Sequence, residues 1–378
     1  MKFETPELLA YPYDLYADWR DNHPIWQDEQ TGMWVLSRHD DVRGVLKNSQ
    51  DYSSKAMGDR STPLPLLTDD PPRHTQLRGL VNKAFTVRML RHIEPQVESI
   101  ARDLVAQIEP GASTDIVTAL TTPLPVAVIA DMMGIPGDRA EDFKRWSDAL
   151  TGTLAGASIE ERESEIMEMG AYFASLIPDR RENPGEDLVS AVVNAEIDGE
   201  RLDDGDIIGF NILLLIAGNE TTTNLLSNLL NILADDPDKF TYLSQHPELI
   251  DAAVEESLRF DGPVQFLMRQ ITTETEYYGQ KLVPGDRVQV IMGSANRDSR
   301  TYEAPDEFRL DRPKNHHHTF GFGIHFCIGA PLARLEARQA MAALLARFSR
   351  IERGDGENER TASTLLRGFH HLHLKFQE

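Results

Sequence analysis

Cysteine is all but missing from this chain: Cys327 is the only one in 378 residues. A single thiol closes no intrachain disulfide, and it cannot ligate an iron–sulfur cluster, which takes about four thiolates. Lysine is scarce too, with 9 against 29 arginines, and 61 acidic residues bring the formal charge to −23. A balance that acidic excludes wrapping nucleic acid or adhering to an anionic membrane by charge, since both need a basic surface. Long apolar runs are also lacking. The longest, Ile212–Ala217 and Pro125–Ala130, fall far short of the roughly 20 residues that span a bilayer. The opening Met1-Lys2-Phe3-Glu4 lacks the apolar core of a signal peptide. These absences lead to the expectation of a cytoplasmic, monomeric protein with neither nucleic-acid nor membrane partners.

What is present suits a globular domain, with 40% hydrophobic and 26% charged residues. No repeat or low-complexity linker divides the chain, so residues 1–378 are expected to form one domain. Asp203 or Asp204 can cap a long helix through about Leu233, with Pro237 just beyond it. Pro247–Phe260 and Pro331–Phe348 read as further helices. Short β signals lie at Met33–Ser37, Glu276–Tyr278 with Gln280–Leu282, Arg287–Ile291 and near Leu372–Phe376. The expected fold class is mainly α with a small β region.

The lone thiol sits in Phe320-Gly321-Phe322-Gly323-Ile324-His325-Phe326-Cys327-Ile328-Gly329, just before the Pro331 helix. An isolated cysteine is usually a small buried hydrophobe. Here Gly321 and Gly323 let the backbone turn tightly and approach a flat ligand, and Gly329 removes a side chain beyond the thiol. Loop N–H groups and the start of the next helix favour thiolate. A thiolate held by backbone donors beside aromatic rings such as Phe320 suits an axial ligand to haem iron.

This segment resembles the haem-binding signature of the cytochrome P450 superfamily, and the resemblance runs from about Tyr11 to the C-terminus. It implies the P450 fold, haem b as cofactor and Cys327 as the iron ligand. In Ala217-Gly218-Asn219-Glu220-Thr221-Thr222, on the long helix, it implies the distal acid–alcohol pair that manages protons during dioxygen activation. Glu220 is then the acid, Thr221 the alcohol, and Ala217 borders the haem. Gly218 permits a local widening of that helix. The haem propionates need donors, and His74, Arg78, Arg269 and His325 stand at the matching positions. Glu256 and Arg259, at i and i+3, would join Arg312 in a buried structural triad.

The implied activity is insertion of one oxygen atom from O2 into a small apolar substrate. Electrons would come from NAD(P)H through a separate ferredoxin-type or flavodoxin-type donor and its reductase. By family position, Leu213, Ile216, Ala217, Val264, Gln265 and Leu267 border the substrate cavity, and Met57–Leu67 forms a lid. Arg73, Lys83, Arg91, Arg334 and Arg338 are candidates for a basic patch that receives the electron donor, although Arg73 can also pair with Asp69 or Asp70. Two alternatives are a peroxygenase driven by H2O2 and a non-catalytic haem protein that senses or carries a ligand. The three histidines His316–His318 read as loop, because consecutive imidazoles do not readily converge on one ion.

Overall fold

The computed structural model describes residues 1–57, 64–85, 87–154, 162–197, 199–313 and 315–378. Its centre is the helix Asp204–Asp235. The Asp203 carboxylate accepts from the Asp206 N–H at 2.7 Å, satisfying one of the free donors of the first turn. Ile207, Phe210, Leu214 and Leu215 are buried in its first half, and Leu225, Leu226, Leu229 and Leu230 in its second. Asn211, Asn219, Thr222, Thr223, Asn224, Ser227 and Asn228 are buried as well. A helix buried on most sides lies in the core of a bundle. It runs unbroken through Gly218, so the widening that glycine permits is not adopted.

The cysteine loop feeds directly into the helix Ala330–Arg347, with Gly329 at its N-cap and Pro331 in its first turn. This helix packs chiefly on Val87–Ala106 and also on Ile250–Phe260. The last of these begins later than the sequence pattern indicates. Pro247–Leu249 forms a separate 3-10 turn, because Leu249, at φ −91° and ψ 0°, interrupts the α geometry.

A five-stranded sheet flanks the helices in the order Ile25–Gln27, Trp34–Leu36, Arg287–Ile291, Phe266–Ile271, Tyr52–Ser53. Only the Arg287–Ile291 and Trp34–Leu36 pair is parallel. A smaller sheet joins Arg350–Arg353, His373–Gln377 and Thr114–Asp115. Phe3, Tyr13, Tyr16, Trp19, Trp26 and Phe266 form an aromatic cluster that ties the N-terminus to the large sheet. The mainly helical fold with a small β region is the architecture expected from the sequence. Among the described residues, no helix is long and apolar enough to cross a membrane.

Candidate active site

Two glycines bend the cysteine loop. Gly321 and Gly323 have φ of 71° and 76°, values that any residue with a Cβ adopts at a cost. At Gly323 space is decisive as well, because a Cβ would lie 2.7 Å from the Leu46 carbonyl oxygen. The Gly321 N–H donates to the His318 carbonyl at 2.7 Å, and the Cys327 N–H donates to the Phe320 carbonyl at 2.8 Å. Those bonds bring the thiol to the surface of a recess, where the Cys327 side chain is exposed. A Cβ on Gly329 would sit 3.9 Å from Cys327 Sγ. Burial by the walls of the recess pushes the thiol above its ordinary pKa. The N–H groups of Gly329 and Ala330, with Arg78 and Arg334, pull it back. The loop donors therefore act in the direction the sequence indicates, but in the protein alone desolvation outweighs them.

Four nitrogen-bearing side chains gather beside this recess. The rings of His74 and His325 lie 4.1 Å apart between centroids. His74 is 1% exposed, and neither ring nitrogen has a hydrogen-bond partner. Burial lowers its pKa, and Arg78 and Arg269 lower it further. His325 is held at about 3 by burial, followed by the charges of His74, Arg269 and Arg78. Ser54 Oγ lies 2.9 Å from His325 Nε2. Arg269 is buried and is brought down to about 10 by desolvation. Among the described residues, no carboxylate forms an ion pair with Arg78 or Arg269. The cluster therefore holds two arginines without an ion-paired carboxylate. The charges of Asp69 and Asp70 act on His74, and that of Asp70 on Arg269, only from beyond ion-pair distance. Such a setting suits two carboxylates of a ligand.

On the long helix, Thr221 Oγ1 donates to the Ala217 carbonyl at 2.8 Å. Glu220 Oε1 accepts from Asn224 Nδ2 at 3.0 Å. Ala217 is exposed although Leu214, Leu215 and Asn219 around it are buried, so this stretch borders an opening. From the large sheet, Leu267 reaches the cysteine loop, its Cδ1 3.9 Å from where a Cβ on Gly321 would stand.

The profile of the family "Cytochrome P450" matches residues 20–246 and 243–370. This chain belongs to the cytochrome P450 family. The erythromycin C-12 hydroxylase of Saccharopolyspora erythraea is 37% identical over 372 residues, covering 95% of this chain and 93% of that protein. The structure of cytochrome P450 CYP109Q5 from Chondromyces apiculatus superimposes with a TM-score of 0.91 at 37% identity, covering 99% and 97% of the two chains. That of CYP109E1 from Bacillus megaterium in complex with testosterone gives 0.88 at 38% identity, covering 96% and 99%. The chain is accordingly a P450 monooxygenase, a haem-iron enzyme.

In this P450 Glu256, Arg259 and Arg312 come together in the interior. Arg259 Nη2 donates to Glu256 Oε1 at 2.7 Å, and Arg312 Nε to both Glu256 oxygens at 3.0 Å. Arg259 also donates to the carbonyls of Asn296, Pro305 and Glu307. The triad thus pins the segment that leads to the cysteine loop.

One of the proposed cavity residues is misplaced. The Gln265 side chain is 2% exposed and turned toward the N-terminal core. Its Nε2 donates to the Gly262 carbonyl at 2.7 Å, and its Oε1 accepts from Tyr16 OH at 3.2 Å. Val264 and Leu267 pack instead against the buried cluster that includes Leu36, Val288 and Val290. Gln265 precedes the Phe266–Ile271 strand, and the bonds to Gly262 and Tyr16 turn it, with Phe266, toward the N-terminal cluster. Of the Met57–Leu67 segment, residues 58–63 lie outside the described residues.

The presumed docking charges are largely spent within the chain. Arg73 pairs with Asp69 at 3.2 Å and with Asp206 at 2.6 Å. Arg334 pairs with Glu255, and Arg338 with Glu94 at 3.1 Å. The side chain of Lys83 lies outside the described residues, whereas Arg91 is exposed and makes no ion pair among them. The histidines of the triplet diverge, His317 toward Glu255 at 3.3 Å and His318 against the ring of His39 at 4.5 Å. Ser54 and Asn224 are polar contacts of the site that the motifs do not include. Asn224 carries a readable signal, since it stands four residues after Glu220 on one helix.

Proposed function

We propose that this P450 binds haem b through Cys327 and inserts one atom of O2 into a small apolar substrate. Electrons reach it from NAD(P)H through a separate ferredoxin-type or flavodoxin-type donor and its reductase. We also assign residues 1–378 to a single monomeric haem unit acting in the cytoplasm. The observation that carries the reading is the cluster of donors, with no ion-paired carboxylate among the described residues, beside the glycine-lined cysteine recess. His74, Arg78, Arg269 and His325 would receive the two propionates, restoring the partners that the buried His74 nitrogens lack. Phe320, Gly321 and Gly329 would form the cradle on the thiolate side, with Ala217 bordering the other face.

Bound there, haem supplies the dioxygen chemistry, and thiolate ligation favours O–O cleavage. The residues of the chain govern protons and access. Thr221, anchored on the Ala217 carbonyl, presents a hydroxyl that can accept one hydrogen bond while donating another. Glu220, on the adjacent residue of the same helix and held by Asn224, offers a carboxyl group that can take up and release a proton. A positioned acid and alcohol deliver protons to a chosen atom, whereas bulk water delivers them without selection. Leu213, Ile216, Ala217, Val264 and Leu267 exclude water and offer an apolar lining. A relative solved with testosterone supports an apolar molecule of about steroid size as that small substrate.

The test is spectroscopic. The reduced, CO-treated holoprotein should show the red-shifted absorbance band that gives the family its name, and Cys327→Ser should lose it. Survival of the band in that variant would remove Cys327 as the ligand. NADH consumption with surrogate redox partners, compared with turnover driven by H2O2, separates the monooxygenase from a peroxygenase.

A further inference from the structure

Glu220, Asn224 and Asn228 follow one another at four-residue spacing and so lie along one face of the Asp204–Asp235 helix. Asn224 links them upward, its Nδ2 donating to Glu220 Oε1 at 3.0 Å. Asn228 ties the row to two neighbouring segments, its Nδ2 donating to the carbonyls of Asp261 and Arg367 at 2.9 and 2.8 Å. Asn224 is fully buried, yet its Oδ1 has no hydrogen-bond partner. A buried amide oxygen without a partner is costly, so hydrogen bonding at that atom is not what orients the amide.

Shape orients it. A Cβ on Gly368 would fall 1.6 Å from Asn224 Oδ1 and 2.2 Å from its Cγ. The amide therefore lies flat against the bare backbone of Gly368, a place open only because that residue has no side chain. The backbone there cannot retreat. The Arg367 N–H donates to the Pro263 carbonyl at 2.8 Å, and the Thr361 N–H to the Gly368 carbonyl at 3.2 Å. Arg367 Nε pairs with Asp261 Oδ1 at 2.6 Å, and Asn228 holds the Arg367 carbonyl. Pinned on several sides, this wall leaves the Asn224 amide one way to lie, with Nδ2 aimed at Glu220.

We propose that Asn224 and Gly368 are positioning residues for oxygen activation: the backbone of Gly368 sets the amide, and the amide sets the carboxyl group of Glu220. The inference rests on the reading of Glu220 as the acid beside Thr221. Misplacing a catalytic group by about 1 Å is enough to cost a large part of its effect, so a glycine in the C-terminal segment would control proton delivery without touching the reaction.

Gly368→Ala is the direct test, because Gly368 is not in the left-handed region and the added Cβ is the only perturbation. The expected result is a displaced Asn224 and a Glu220 carboxyl that has lost the Asn224 bond. The infrared CO stretch of the reduced, CO-bound protein should shift or broaden, and product formed per NADH should fall by at least about twofold. Asn224→Ala should reproduce both effects, and it removes the two closest obstacles to a Cβ on Gly368, leaving the Asn224 Cβ at 2.9 Å. Gly368→Ala added to Asn224→Ala should then change both readouts much less than it does alone, a strong departure from additivity. If Gly368→Ala folds poorly, Asn224→Ser removes the amide without crowding the wall and should give the same CO-stretch change. An unaltered CO stretch in Gly368→Ala and Asn224→Ser, or additive effects in the double variant, overturns the proposal. Glu220→Gln separates this from the underlying reading. If that variant keeps full coupling while Gly368→Ala still moves the CO stretch, Asn224 positions Glu220 but Glu220 is not the acid.

Discussion

Arg334 lies over the face of Phe320, its guanidinium carbon 4.5 Å from the ring centroid, and Glu255 grips its edge with a bond of 3.0 Å to Nη2. Burial pushes the Glu255 carboxyl up, but His317 and Arg334 outweigh it and hold the group at about 2. Glu255 therefore stays charged throughout the physiological range, and the stack beside the cysteine loop is permanently clamped. Arg334→Ala should cost about 1 kcal/mol of stability, since the ion pair is a third exposed and only the ring contact is sheltered. Urea unfolding measures this. An unchanged midpoint would mean the stack contributes nothing.

Glu256→Gln should be far more damaging. It leaves the Arg259 guanidinium, fully buried at its side chain, and most of Arg312 without a counter-charge. Losing one member of such a group costs roughly 3–5 kcal/mol. Thermal unfolding should show a large drop, and salt should not rescue it, because screening hardly reaches the interior. A variant as stable as the parent would mean that backbone carbonyls suffice, those of Asn296, Pro305 and Glu307 for Arg259 and those of Glu303, Ala304 and Glu307 for Arg312.

Thr221→Ala removes one hydroxyl that, among the described residues, bonds only to the Ala217 carbonyl, so folding and haem uptake should be nearly unaffected. Product per NADH should fall, and hydrogen peroxide should rise to match, because protons are no longer directed. Quantifying both in one reaction decides the matter. Full coupling in the variant would take Thr221 out of the mechanism.

His318 supplies a pH prediction. Burial, reinforced by the charges of His39, His317 and Arg43, holds it at about 3, against an ordinary value near 6.5. The unfolded chain thus binds a proton there that the folded chain refuses. Stability is complete above pH ~6.5 and falls as pH drops toward 3, with a slope of up to about 1.4 kcal/mol per pH unit from this one residue. Urea midpoints for the parent and His318→Phe between pH 7 and 4 should diverge in slope. Parallel curves would show that His318 titrates normally.

The cysteine loop, the long helix and the fold class were legible because their signals are local. Cys327, its glycines and His325 lie within ten residues, and Asp203 caps its helix from one residue away. The Phe266–Ile271 strand was not legible, since its Arg269 and Gln270 break the apolar pattern of a central strand. The orientation of Gln265 was hidden for another reason. It depends on Tyr16, 249 residues distant, and only tertiary packing decides which of two faces is inner. The pairing of Arg73, Arg334 and Arg338 was equally out of reach, save for the Asp69 partner within one helical turn of Arg73.

Gly323 rests against the Leu46 carbonyl with no room for a methyl group between them. The end of the His39–Lys47 helix is in effect a mould on which the distant cysteine loop is cast. Damage to that early helix, by truncation or by a substitution that tilts it, would accordingly be felt first as poor cofactor retention. The global fold, anchored by the central bundle, would give way later. Two measurements that usually move together, haem content and melting temperature, would then come apart.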